Sequence, residues 1–185
     1  MKISQLFDLT GKTAIVTGGA NGIGKATAML LAKAGANISI GDFNFEDAEK
    51  TAQEIRELGV KAIAVSCNVL KDEDLVHLVD TTVKELGSVH ILINNAGGGG
   101  GGRENPFKIS VDDIKRDYEL NVFSGWRLCQ LCVPHMKKDG YGSIVFWATQ
   151  GYAIMDNTEF PIVGEGEKQP NDNFVEQLVW SAEAA

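Results

Sequence analysis

Eight residues near the start of the chain have the types and order needed to hold a phosphate-bearing ligand. Thr17-Gly18-Gly19-Ala20-Asn21-Gly22-Ile23-Gly24 follows a short β-branched run and precedes a stretch of helical spacing. Glycines let a chain turn tightly and approach a pyrophosphate, while a helix start offers unpaired N–H groups and the positive end of its dipole. A glycine-rich turn alone is weak; a strand before it and a helix after it supply the context such a site requires. A purely structural turn is the competing reading. Asp42 stands at the end of the second apolar run, 18 residues after Gly24. A carboxylate there can accept hydrogen bonds from both ribose hydroxyls and repels a 2′-phosphate, and no Arg or Lys follows at once to welcome one. The pair predicts binding of NAD in preference to NADP. The plainer alternative makes Asp42 a solvated turn residue.

These residues need rigid elements to position them, and the pattern provides them. Short apolar runs alternate with amphipathic segments from Lys12 onward, as in βα units around a parallel sheet. Strands are predicted at Thr13 to Thr17, Asn37 to Ile40, Lys61 to Ser66, His90 to Asn94 and Ser143 to Ala148. The first helix, Gly22 to Ala34, places Ile23, Ala26, Leu30 and Ala34 on one face, with Gly35 just past its end. A second carries Ala48, Ala52, Ile55 and Leu58, and Gly59 closes it. A third carries Leu75, Leu78, Thr82 and Leu86 behind acidic Asp72 to Asp74, where negative charge suits the dipole. Six glycines, Gly97 to Gly102, make a loop, and one long helix is predicted from about Val111 to Met136. Right-handed crossovers then give an α/β fold, a Rossmann-like doubly wound parallel sheet of about five strands in the order 3-2-1-4-5.

Composition narrows the class further. A hydrophobic fraction of 44% with 23% charged residues is that of an ordinary globular chain. A net charge of −8 argues against nucleic acid as partner, since that needs a basic face. Met1 to Thr10 lacks the apolar core of a secretory signal, and no run approaches the roughly 18 apolar residues of a membrane span. A cytoplasmic location without a membrane partner is the expectation. Charge also divides the chain: residues 1–149 carry 18 acidic and 16 basic side chains, residues 150–185 carry 7 acidic ones and only Lys168. The division predicts a dinucleotide-binding domain over 1–149 and a divergent acidic tail over 150–185, in which only Phe174 to Ala184 has helical character. Cys67, Cys129 and Cys132 make no disulfide framework, and the C-x-x-C at 129–132 reads as buried helix thiols rather than a metal site.

Three motifs in register carry a family resemblance. TGGANGIG resembles the TGxxxGxG loop of short-chain dehydrogenases/reductases, Asn94-Asn95-Ala96-Gly97 matches their NNAG, and Asn121 in YELNVFS matches their helix asparagine. The similarity runs from about Leu9 to Thr149, and AGGGG with YELNVFS looks most like the bacterial 7α-hydroxysteroid dehydrogenase branch. The resemblance implies that Gly18, Gly22 and Gly24, with Asn21 and Ile23 between them, hold the pyrophosphate. It gives Asp42 the adenosine ribose, Asn68 and Val69 the adenine edge, and Asn95, Ala96 and Gly97 the middle of the cofactor. Asn121 would anchor a water in the proton relay. Thr149 stands where the family places a catalytic serine. The implied reaction is NAD-dependent hydride transfer with a small-molecule secondary alcohol or ketone, of hydroxysteroid or polyol class.

One part of the resemblance fails. The family's proton donor is the tyrosine of Tyr-x-x-x-Lys, whose lysine sits one helical turn on. Here Tyr118, Tyr141 and Tyr152 are followed four residues later by Val122, Val145 and Asp156. The family's sixth and seventh strands find no counterpart either. A frameshifted or altered ending and a natural short relative both account for this, as does a subunit completed by a full-length homologue. Non-catalytic dinucleotide binding is therefore the alternative function. Homo-oligomerisation, which in the family involves the Tyr/Lys helix, is a further open expectation.

Overall fold

A computed structural model describes residues 7–98 and 109–147, together with the backbone of Trp180 and Ser181. Five parallel strands form the sheet: β1 (Thr13–Thr17), β2 (Asn37–Asp42), β3 (Ala62–Ser66), β4 (Ile91–Asn94) and β5 (Ser143–Phe146). Their order is β3-β2-β1-β4-β5, as the alternation of runs predicts. A two-residue strand, β6 (Trp180–Ser181), pairs antiparallel with Ser143 and Ile144 of β5. Two residues of the expected Phe174–Ala184 helix are therefore extended: the otherwise open edge of β5 offers a ladder of N–H and C=O groups that local helical spacing does not reveal. The rest of the 150–185 tail lies outside the described residues.

Helices cover both faces because each β-strand alternates its side chains. In β1, Ala14 and Val16 pack with Ile38, Ile40, Ala28, Ala32, Ala48, Ala52 and Ile55, whereas Ile15 joins Leu92, Leu75, Leu78, Leu128, Cys132 and Met136. The first face is covered by α1 (Gly22–Lys33) and α2 (Phe45–Arg56), the second by α3 (Asp72–Leu86) and α5 (Ser124–Asp139). The face expected for α1 is corrected here. Ile23 and Leu30 are exposed, and the buried positions are Gly24, Ala28 and Ala32. Small residues win the inward face because the helix lies close on the sheet, and bulk is left outside. Leu58, past the end of α2, is likewise exposed.

The long helix expected over Val111 to Met136 is interrupted. α4 (Val111–Tyr118), opened by a Ser110–Asp113 capping box, passes into a wider π-turn at Glu119–Phe123 before α5 begins. Within that turn the Asn121 side chain donates to the Asp117 carbonyl (2.8 Å), and Ser124 Oγ donates to Leu120 O (2.7 Å). Side chains that take carbonyls four residues back compete with the helical ladder and bend it. All three cysteines are at least half-buried, Cys129 and Cys132 within α5, and burial pushes the Cys67 thiol up to about 12.

The amino ends of the strands hold a partly buried polar knot. His90 Nδ1 accepts the Thr13 N–H (3.1 Å), and its Nε2 lies 3.6 Å from Asp139, which also accepts from Ser88 Oγ. Burial, with a smaller push from Lys12, holds the His90 pKa below its usual 6.5. Protonating Nδ1 also takes the acceptor away from the Thr13 amide. A depressed pKa makes the neutral imidazole's contribution fully present above pH 6.5, and it is lost as pH falls through the lower, folded-state value. Thermal melts between pH 8 and pH 5 are expected to show falling stability below about 6.5. His90→Gln should flatten that slope; an unchanged slope would mean that another group titrates there.

Candidate functional site

The carboxyl ends of β1, β2, β3 and β4 converge on one groove of about 380 Å³. Its lining includes Gly18, Asp42, Asn68, Val69, Ala96 and Gly97, all singled out from the sequence. Phe43, Leu70, Arg116 and Leu120 also line it, with Gly41 and Cys67, and were not. The first two directly follow Asp42 and Val69, so strand-end position could have found them. Arg116 and Leu120 come from α4 and the π-turn, which only the tertiary fold brings over the groove.

The glycine loop is held open by its own geometry. Gly18 and Gly22 have φ of 63° and 56°, a left-handed conformation that glycine adopts without strain. Gly24 has a different reason: a Cβ there would stand 2.2 Å from Gly18 O and 2.5 Å from Asn95 Nδ2. The helix start that follows is bare. Asn21 makes no side-chain cap and the first turn of α1 holds no acid, whereas α2, α3 and α4 all begin with carboxylates. The first amides and the dipole of α1 are thus left for an anion outside the helix.

Asp42 is not the solvated turn residue of the plainer reading. It is 8% exposed, and its Oδ2 accepts the Ala20 N–H (3.0 Å) while Oδ1 accepts the Asn44 N–H (3.0 Å). The carboxylate therefore ties the glycine loop to the end of β2. Each oxygen keeps lone pairs for a diol in the groove it lines.

Thr17 and Asn95 lock the opposite wall. Thr17 Oγ1 accepts the N–H groups of Asn95 (3.1 Å) and Ala96 (3.0 Å), and Asn95 Nδ2 donates to the carbonyls of Thr17 (2.9 Å) and Gly18 (3.0 Å). Asn121 extends the wall. Its Oδ1 accepts the Gly98 N–H (3.0 Å), and Nδ2 donates to Gly98 O (2.7 Å) as well as to Asp117 O. Both amide hydrogens are thus engaged, so any water bound there would have to donate to Oδ1. A Cβ at Gly97 would meet that same Oδ1 at 2.7 Å. Asn68 uses Oδ1 to accept the Leu70 N–H (3.1 Å), which shapes the turn at the floor of the groove. Asn21 and Ile23 stand at the loop's exposed rim. Thr149 and Tyr152 lie outside the described residues.

Fold, loop and groove together define an α/β protein with a Rossmann-like doubly wound sheet, and comparison with known proteins gives the family. A family model described as short chain dehydrogenase matches residues 12–153, and the chain belongs to that family. Among its relatives is the 7alpha-hydroxysteroid dehydrogenase of Escherichia coli K12, 44% identical over 142 residues, 77% of this chain and 54% of that protein. The cyclohexanol dehydrogenase of Acinetobacter sp. strain SE19 is 36% identical over 135 residues, covering 72% of this chain and 53% of the relative. A solved 7 alpha-hydroxysteroid dehydrogenase complexed with NADH and 7-oxo glycochenodeoxycholic acid superposes with a TM-score of 0.72 at 43% identity. That match covers 78% of this chain and 55% of the other. The chain spans about half the length of the curated relatives it matches.

Proposed function

We propose that this chain binds NAD(H) through residues 1–149 and belongs to an oxidoreductase that moves hydride between the nicotinamide and a secondary alcohol or ketone. The observation that carries the cofactor reading is Asp42, buried at the end of β2, hydrogen-bonded to the glycine loop and lining the groove beside Asn68 and Val69. Gly18, Gly22, Gly24 and the bare start of α1, with Asn21 and Ile23, would receive the pyrophosphate. Asn68 and Val69 would border the adenine, and Asn95, Ala96 and Gly97 would flank the middle of the cofactor. When bound, NAD(H) supplies the hydride acceptor or donor. The chain's own residues orient it, hold the loops around it and carry no phosphate-neutralising cation beside Asp42 in sequence.

The substrate proposed is of hydroxysteroid or polyol class, and the likeness to the E. coli hydroxysteroid and Acinetobacter cyclohexanol enzymes supports a secondary hydroxyl on a ring. Asn121 and Thr149 are the residues proposed to serve the reacting end, Asn121 by fixing the Gly98 backbone and Thr149 by its hydroxyl. Binding without turnover is the second reading, favoured by the missing Tyr-x-x-x-Lys among these 185 residues. Steady-state assays with a 7α-hydroxysteroid and with cyclohexanol separate the two, since reproducible turnover removes the second. Self-association is proposed as well. Val111, Ile114, Tyr118, Val122 and Trp126 recur at helical spacing along α4, the π-turn and α5, and all are at least 45% exposed. Light scattering reads that directly, and a strictly monomeric mass would remove it.

Fluorescence titration tests the cofactor. NADH is expected to saturate and NADPH to bind at least about tenfold more weakly, the size of effect one buried carboxylate facing a phosphate supplies. Asp42→Asn should narrow that gap. Failure of NADH to saturate would end the cofactor reading.

A further inference from the structure

Arg116 has no role assigned so far, and its placement is distinctive. It lines the same groove as Asp42, Asn68 and Gly97, and it is the only cation among the described lining residues. The other described arginines are occupied. Arg56 pairs with Glu49, and Arg127 with Asp72 at 2.6 Å. Lys115, its neighbour on α4, pairs with Asp112 at 3.0 Å. Arg116 makes no ion pair or side-chain hydrogen bond among the described residues. Its helix is capped internally by the Ser110–Asp113 box, and the turn that follows is tied to the groove wall by the Asn121–Gly98 pair of hydrogen bonds.

An exposed guanidinium lining a groove, with no acceptor among the described residues, is a donor set open to a ligand. Its planar fork matches a phosphate better than any other group a nucleotide offers. The groove also needs a cation. Its other charged lining residue is Asp42, and the whole chain carries −8, so a doubly anionic pyrophosphate enters against the field. We infer that Arg116 binds a phosphate of the dinucleotide, as a specificity-determining residue contributed by α4 rather than by the glycine loop. This rests on the proposed use of the groove for a dinucleotide. It gives the site a positive wall facing the negative one, which sequence order hides because 74 residues separate Arg116 from Asp42.

The test is competition for bound NADH by ADP-ribose, by its 2′-phosphorylated analogue and by adenosine, on the parent protein and on Arg116→Gln and Arg116→Lys. In Arg116→Gln, ADP-ribose and NADH should weaken about three- to tenfold at low salt, with a shallower salt dependence, and Arg116→Lys should recover part of the loss. Adenosine, which has no phosphate, should be unaffected. An equal loss for both ADP-riboses places Arg116 at the pyrophosphate; a loss confined to the 2′-phosphorylated analogue places it at that phosphate. Unchanged affinities in Arg116→Gln overturn the inference, and so does an equal loss for adenosine, which would make Arg116 a wall for the base. Failure of the parent protein to bind NADH at all removes the dinucleotide reading together with this one.

Discussion

Gly24→Ala is expected to melt about 4–8 °C below the parent protein and to lose saturable NADH binding. The new Cβ would lie 2.2 Å from Gly18 O and 2.5 Å from Asn95 Nδ2. Neither atom can yield cheaply. Gly18 is tied to Gly41 O through its own N–H (2.8 Å), and Asn95 donates to two carbonyls of the loop. Overpacking of this kind costs about 1–3 kcal/mol, partly offset by the roughly 1 kcal/mol that alanine gains over glycine inside a helix. The backbone contact puts this case at the upper end, and each kcal/mol lowers Tm by about 2–4 °C at this chain length. Gly22→Ala is the informative control. A Cβ at Gly22 meets nothing within 4 Å, but φ there is 56°, so the cost is only the roughly 1–2 kcal/mol of a left-handed residue. Calorimetry on both variants separates steric from conformational cost. A Gly24→Ala melting point no lower than the parent's would show that the loop relaxes away from Gly24.

The contrast between these two glycines also shows what a sequence can disclose. The loop, Asp42 and Asn94 to Gly97 are legible because each lies beside a strand end, and strand ends follow from local apolar runs. The strand order is legible for the same reason, since right-handed crossovers leave few ways to stack five runs. What each residue holds is not legible. Asp42 reads as a ribose ligand from its position, yet its first measurable task is to accept two backbone amides. Gly24 reads as a phosphate contact, yet it is needed for the approach of α1 to Gly18 and Asn95.

Misreadings have physical causes as well. Ile23 and Leu30 look like the inward face of α1 because apolar spacing carries no depth information. Alanine and glycine at 24, 28 and 32 let the helix sit closer, and closeness wins. The π-turn at Glu119–Phe123 is invisible because Ile114, Tyr118 and Val122 keep helical spacing across it, while the side-chain bond from Asn121 that accompanies it leaves no trace in the spacing. Arg116 escapes notice because it is one of several charges on a polar helix, and only the fold shows which one faces the groove.

Thr17→Val should destabilise the protein by about 1–3 kcal/mol and weaken NADH binding by about tenfold or more. Valine has nearly the same shape, so the 1%-exposed site keeps its packing and loses only the hydroxyl. Asn95 N–H has a second acceptor in Ile93 O (3.1 Å), but Ala96 N–H has no partner other than Thr17 Oγ1 among the described residues. A part-buried donor left without an acceptor costs about 1–3 kcal/mol, which sets the expected loss in stability. The effect on binding comes from position rather than contact. Releasing Ala96 frees the Asn95–Gly97 turn from the glycine loop, and both walls of the groove must stand still for one ligand to touch both. Thr17→Ser keeps the oxygen and should retain most of the affinity. Denaturant melts and NADH titration on the two variants read the two effects separately. Lost stability with unchanged affinity would make Thr17 a folding contact alone, and the Asn95–Gly97 turn would then not be a wall of the cofactor site.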